Sequence, residues 1–168
     1  MKTTNQMVLF WRTADIYSNW HPAEFDDNGM HFVNSEQYMM WRKAMLFGDQ
    51  ISAAAMMCES DPAKLKALGR AVKGYDEASW VRERLMVMVR GCYLKFRQNR
   101  ELGEALLATG DRIIVEASPD DTIWGIGLGE DDPRALDETQ WLGLNLLGDA
   151  LMQVRQMLGN GEESLLSK

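Results

Sequence analysis

Histidine is scarce in this chain: His21 and His31 are the only two. Neither sits in a suggestive local pattern, so nucleophilic catalysis assisted by a histidine has little to draw on, and a zinc site is not expected. Cysteine is equally sparse. Cys58 and Cys92 stand 34 residues apart with no CxxC pair, which points to reduced thiols and a cytoplasmic location, not to a disulfide framework. No apolar run approaches the ~20 residues that span a bilayer. The amino-terminal MKTTNQMVLFW lacks a long apolar segment with a small-residue cleavage site, so neither a leader nor a membrane partner is expected. P-loop, GxSxG, HExxH and GxGxxG signatures are all missing. The glycine-rich GIGLG at 125–129 follows a polar loop and precedes no clear helix, which makes it a poor dinucleotide fingerprint. No metal or cofactor is therefore expected. Positive charge is also in deficit. With 18 Lys and Arg against 25 Asp and Glu, the net charge is −7, which argues against non-specific binding to nucleic acid while leaving room for a local basic pocket.

What the chain does have is enough apolar surface for one core: 168 residues, 46% of them hydrophobic. The expectation is a single domain over 1–168 with its core at about 8–158 and a frayed tail, GNGEESLLSK. Twelve Met suit adaptable core packing, and six Trp suit either a core or a cleft that stacks flat rings. Short strands are predicted at 7–12 and 30–33, the second after a turn at Asn28-Gly29. Helices are predicted from Ser35 to about Phe47, from Gln50 after an Asp49 cap, from Pro62 after Asp61 to Gly69, from Asp76 to about Asn99, over 101–108, and from Asn145 to about Leu158. The long helix carries Val81, Leu85, Met88, Val89, Cys92 and Phe96 at steps of three and four. The β-branched run Arg112–Ala117 is the best strand candidate, and a loop of about 25 residues follows it, long enough to suggest function. The fold class is helix-rich α+β with a small sheet.

The most informative segment is NSEQYMMWRKA at 34–44. Ser35 is a natural N-cap, and Glu36 in the first turn suits the helix dipole. Glu36 and Lys43, seven residues apart, share one face. That face is either a buried salt bridge or a reaction site. Further along, Asp120 and Asp121 precede Trp124-Gly125. Carboxyl groups meeting across a cleft are what hydrolysis of a sugar bond needs, one to protonate the leaving group and one to support the developing cation or activate water. Lys43, Arg70, Lys95 and Arg155 are candidates to hold phosphate. Each of these residues also has a purely structural reading, as a cap, a turn former or a neutraliser of a helix end.

In sequence order the residues resemble the NADAR (YbiA-like) family over Phe10 to about Leu158. The matching blocks are Tyr17-Ser18-Asn19, the segment SEQYMMWRKA at 35–44, Gly69-Arg70, then Trp80, Met88 and Lys95-Phe96 at their spacing, Glu116 ahead of Asp121-x-x-Trp124-Gly125, and Asn145-x-x-Gly148-x-x-Leu151-Met152-x-x-Arg155. The resemblance implies an N-glycosidase acting on phosphoribosylamino-pyrimidine intermediates of riboflavin biosynthesis, or on ADP-ribose attached to guanine, including ADP-ribosylated nucleic acid. It implies Glu36 and Asp121 as catalytic carboxylates, and Lys43 as a phosphate contact, an ion partner of Glu36 or a covalent nucleophile. Trp124 and Gly125 would wall the base or ribose. Arg70 and Asn145 would contact phosphate or ribose oxygens, and Ser18 and Asn19 would line the entrance. The acidic segment at 129–140 is longer than the pattern suggests and is expected to cover the site. A module that binds such groups without cleaving them is the alternative.

Overall fold

A computed structural model describes residues 1–161. Its first sheet has three short strands: β1 (Lys2–Thr3) antiparallel to β2 (Met7–Phe10), and β2 parallel to β5 (Ile113–Glu116). The second is a hairpin of β3 (Phe25–Asp27) and β4 (Met30–Phe32). Its turn is Asn28-Gly29, and both residues have positive φ, 50° and 81°, the backbone that a two-residue hairpin favours. β4 falls where sequence placed it. β3 lies between the two predicted strands, where none was expected, because a three-residue strand offers too few positions for a period of two to show.

β2 is apolar at every position because both of its faces are covered. Val8, Phe10 and Ile114 turn toward the main core, while Met7, Leu9 and Val115 join Ala117, Ile126, Leu128 and Ala135 on the other side. Ala135 belongs to the acidic segment at 129–140, which forms two 3₁₀ turns, Pro133–Leu136 and Glu138–Gln140. Trp141 Nε1 donates to the Ala135 carbonyl and fastens the segment there. Instead of covering the site as expected, this segment roofs the outer face of the sheet.

Among the described residues six α-helices complete the fold: α1 (Ser35–Leu46), α2 (Gln50–Met57), α3 (Pro62–Arg70), α4 (Glu77–Gln98), α5 (Arg100–Leu107) and α6 (Leu146–Asn160). Asp49, Asp61 and Asp76 cap α2, α3 and α4 through their side chains, as expected. The α1 cap is a correction. Asn34, not Ser35, holds extended backbone and accepts from Gln37 N at 2.9 Å, which frees the Ser35 hydroxyl for another contact. On α4 Met88, Val89, Cys92 and Phe96 are buried as expected and Leu85 packs against the same core, which Trp80, Val87 and Tyr93 widen; only Val81, 45% exposed, falls outside it. α6 runs on to Asn160, two residues past expectation. The remainder of the expected frayed tail lies outside the described residues. Among the described residues no helix is long and apolar enough to cross a membrane.

Candidate active site

The parallel pairing of β2 and β5 sets Phe10 opposite Glu116, so both strands end at one edge of the sheet. In open α/β sheets that edge is where ligands collect. Here it opens into a cleft of about 590 Å³, within the range of small-molecule sites. Trp11 and Arg12 follow β2, Glu116 and Ser118 come from β5 and its exit, Glu36 from α1, Pro62, Ala63 and Lys66 from α3, and Asp120, Asp121 and Trp124 from the long loop.

Glu36 is delivered by two anchored segments. The turn at 16–18 is pinned by Lys95, which is 0% exposed and donates from Nζ to the Ile16 and Ser18 carbonyls, both at 2.9 Å. Asn19, next along, accepts from the Glu36 backbone N–H at 3.2 Å and from the Ser35 hydroxyl at 3.2 Å, and its Nδ2 donates to Glu36 Oε2 at 3.4 Å. The Glu36 carboxyl is buried. Burial pushes its pKa up to about 7; the Asp121 charge adds to the rise, while Lys66 and the Asn19 amide oppose it.

Glu116 is the last residue of β5. Asn145 clamps it: its Oδ1 accepts from Glu116 N at 3.0 Å, and its Nδ2 donates to the Ile114 carbonyl at 2.9 Å. Asn145 holds a left-handed backbone, φ 54°, at the start of α6. Ile126 N bonds the Glu116 carbonyl at 3.0 Å, so the residue's backbone is held at both ends. Burial pushes the Glu116 pKa up to about 8, with Asp121 and then Glu36 adding to it and Lys66 opposing. Asp121 is oriented by its own loop, Oδ1 accepting from Ile123 N and Trp124 N at 2.8 Å each. Gly125 lets that loop close on the strand: a Cβ there would sit 2.8 Å from the Glu116 carbonyl oxygen and 2.9 Å from that of Asp121. Across the opening, Lys66 Nζ lies 5.4 Å from the Trp20 ring centroid, a cation–π distance. Arg12 reaches Glu130 at 3.5 Å.

Of the residues expected at the site, Glu36, Asp121, Asn19 and Trp124 line one cleft. Ser18, Gly125 and Asn145 are buried one layer behind it: Ser18 accepts from Trp20 N at 3.2 Å, Gly125 allows the loop to close, and Asn145 spends its amide on β5. Lys43 and Arg70 are not brought in. Seven residues along a helix is a rise of about 10 Å, so a shared face still separates Lys43 from Glu36 by two turns. Lys43 Nζ instead donates to the Gly69 carbonyl at 2.8 Å and lies 4.3 Å from the Tyr75 ring centroid. Among the described residues no ion pair joins it to Glu36. Burial lowers its pKa, and Glu77 opposes that. Arg70 ends α3, exposed and away from the cleft. Lys95 and Arg155 also have structural roles, Arg155 donating from Nη1 to Thr109 Oγ1 and the Arg112 carbonyl at 2.8 Å each. Lys43→Met is therefore expected to keep turnover within about threefold of wild type while costing about 1 kcal/mol of stability through the lost carbonyl bond; steady-state rates and urea melts check both.

Glu116, Lys66, Trp20, Trp11 and Arg12 are site residues to which sequence reading gave no role. The signal for Glu116 was present, an acid closing an apolar β-branched run. Nothing local marked Lys66, one of several cations on a helix.

The NADAR domain profile matches residues 9–159. The chain belongs to the NADAR family. Among its relatives, the N-glycosidase R617 of Acanthamoeba polyphaga mimivirus is 43% identical over 84% of this chain and 86% of that protein. The chloroplastic riboflavin biosynthesis protein PYRR of Zea mays is 32% identical over 91% of this chain and 25% of that protein. The NMR structure of Escherichia coli YbiA shares the fold, with a TM-score of 0.77 at 26% identity, covering 95% of this chain and 89% of that one. Within the NADAR family, then, several members carry the name of hydrolases of N-glycosyl bonds.

Proposed function

We propose that this NADAR protein is an N-glycosidase that hydrolyses the bond between a ribose carbon and an amine or base nitrogen, acting on a phosphoribosylamino-pyrimidine of riboflavin biosynthesis. The observation that carries this reading is the convergence of Glu36, Glu116 and Asp121 in one aromatic-walled cleft. Departure of an amine from C1′ leaves an oxocarbenium ion, which carboxylates stabilise, and water must lose a proton as it attacks. Glu36, with its pKa near neutrality, takes that proton. Asp121, fixed by two backbone N–H groups, faces the developing positive charge. Trp124 and Trp20 supply flat apolar surface for the heterocycle, and Lys66 and Arg12 supply the rim cations for a phosphate. The substrate class draws support from relatives named for riboflavin biosynthesis.

Purified protein incubated separately with the phosphoribosylamino-pyrimidine and with ADP-ribosylated guanosine is expected to release free aminopyrimidine and ribose 5-phosphate from the first, as read by mass spectrometry. Release from the second alone would move the substrate assignment, and tight binding without release from either would make the protein a binding module. Lys66 offers a separate check. Its charge lowers the pKa of both Glu36 and Glu116, so Lys66→Gln is expected to shift the whole pH–rate profile toward higher pH.

A further inference from the structure

Glu116 is a half-buried acid of the cleft with one carboxyl oxygen that the fold leaves unsatisfied. Its Oε2 is shielded from solvent and, among the described residues, has no hydrogen-bond partner. Buried polar atoms without partners are rare and call for an explanation. Neighbouring side chains do not relieve this one. The backbone N–H and carbonyl of the residue are both engaged, so the orphan is not a product of a loose strand. Charged groups reach it from each surrounding element: Glu36 from α1, Asp121 from the long loop and, in opposition, Lys66 from α3, with Asp120 and Arg12 completing the cleft's charges. Burial and the two carboxylates outweigh the opposing charge of Lys66, so the neutral acid is the favoured form, and a neutral carboxyl needs an acceptor for its O–H. Glu116 itself lines the cleft that a bound substrate would fill.

We propose that Glu116 is the proton donor to the leaving nitrogen, a catalytic role separate from those of Glu36 and Asp121. The assignment rests on the N-glycosidase reading above. As the C1′–N bond breaks, its electron pair stays with nitrogen, which takes the proton from Glu116. Water adds to C1′ and gives its proton to Glu36. The sum is R–NH–ribose plus water yielding R–NH₂ and ribose with a hydroxyl at C1′, and proton exchange from Glu36 to Glu116 through solvent resets the site. Both groups are raised from the ordinary glutamate value, Glu36 to about 7 and Glu116 to about 8; the roles divide on hydrogen bonding, because Glu36 Oε2 accepts from Asn19 Nδ2, which favours its ionised form, while Glu116 Oε2 receives no donor.

The test is Glu116→Gln, assayed with the phosphoribosylamino-pyrimidine under enzyme excess across about pH 5.5 to 9.5, a range that brackets both raised values. Wild type is expected to give a bell, with the acid limb from Glu36 and the alkaline limb from Glu116. The variant is expected to lose about 10²- to 10⁴-fold in rate, to lose the alkaline limb and to keep the acid limb. Gln has the shape of a protonated Glu, so a melting temperature at or above wild type at alkaline pH is expected. Glu116→Asp, which keeps a titrating carboxyl on the same backbone, is expected to retain an alkaline limb at reduced rate. A Glu116→Gln variant with wild-type rate, or a slower one whose alkaline limb persists, overturns the assignment to Glu116 alone. A wild type that releases no amine from either probe refutes the N-glycosidase reading itself.

Discussion

Replacing Glu36 with glutamine is expected to reduce turnover by at least about 10³-fold while making the protein harder to unfold at about pH 8. The activity loss follows from the group's position. It is a buried carboxyl on the cleft wall, oriented by Asn19, with a pKa raised to about 7, and an amide cannot take a proton from water. The stability gain follows from linkage. The folded pKa lies above the ordinary value of 4.5, so between about pH 4.5 and 7 the folded chain binds more protons than the unfolded one, and stability falls as pH rises through that window. At about pH 8 the wild type carries the whole cost of an ionised, desolvated carboxylate, on the order of 3 kcal/mol. Glutamine removes it. For a domain of this size that is about 5 °C or more in melting temperature. At about pH 4.5, where wild-type Glu36 is protonated in the fold, the two proteins are expected to melt close together. A variant equally stable at both pH values would show that Glu36 is not held against its ionised form, and a variant with undiminished turnover would remove it from the mechanism.

The second large effect is expected far from any side-chain chemistry. Gly148 sits in the first turn of α6, where a Cβ would overlap the Ile114 carbonyl oxygen and both polar atoms of the Asn145 amide. Gly148→Ala would therefore push α6 off β5 at the point where Asn145 bonds Ile114 and Glu116. Overpacking against backbone costs about 3 kcal/mol, so melting temperature is expected to fall by about 6–12 °C. Turnover of the folded fraction is expected to fall at least about tenfold, because the acid at the end of β5 loses its clamp. Calorimetry, with rates measured well below the variant's melting temperature, separates the two consequences. An alanine variant with wild-type melting would mean that helix and strand do not approach this closely in solution.

Both predictions show where sequence sufficed and where it did not. The start of α1 was legible because capping chemistry and the helix dipole act within one turn: an Asn-Ser-Glu-Gln run can begin a helix whatever surrounds it, and only the choice of Asn34 over Ser35 as cap required the fold. That choice was tertiary because the Ser35 hydroxyl had a long-range partner in Asn19. The β-branched run ending at Glu116 was legible as a strand, but its pairing with β2 was not, since parallel strands more than a hundred residues apart leave no local pattern. Lys43 illustrates the converse. Periodicity placed it on the Glu36 face, yet it says nothing about where a cleft begins and ends along the helix, and the ammonium was drawn to the Gly69 carbonyl and the Tyr75 ring.

By itself, the sequence determined the helix-rich α+β composition, the positions of most helices, the NADAR resemblance and the candidacy of Glu36 and Asp121, because these depend on residue type and short spacing. The tertiary structure alone decided that Glu116 and Lys66 line the same cleft while Lys43 and Arg70 do not, that the Asn145 amide bonds the strand, and that the acidic segment roofs the sheet. Those outcomes depend on desolvation and on contacts between distant segments. The same glutamate is an ordinary surface acid in water and a proton-holding group beside two other carboxylates in a cleft, and only the folded chain brings those carboxylates together.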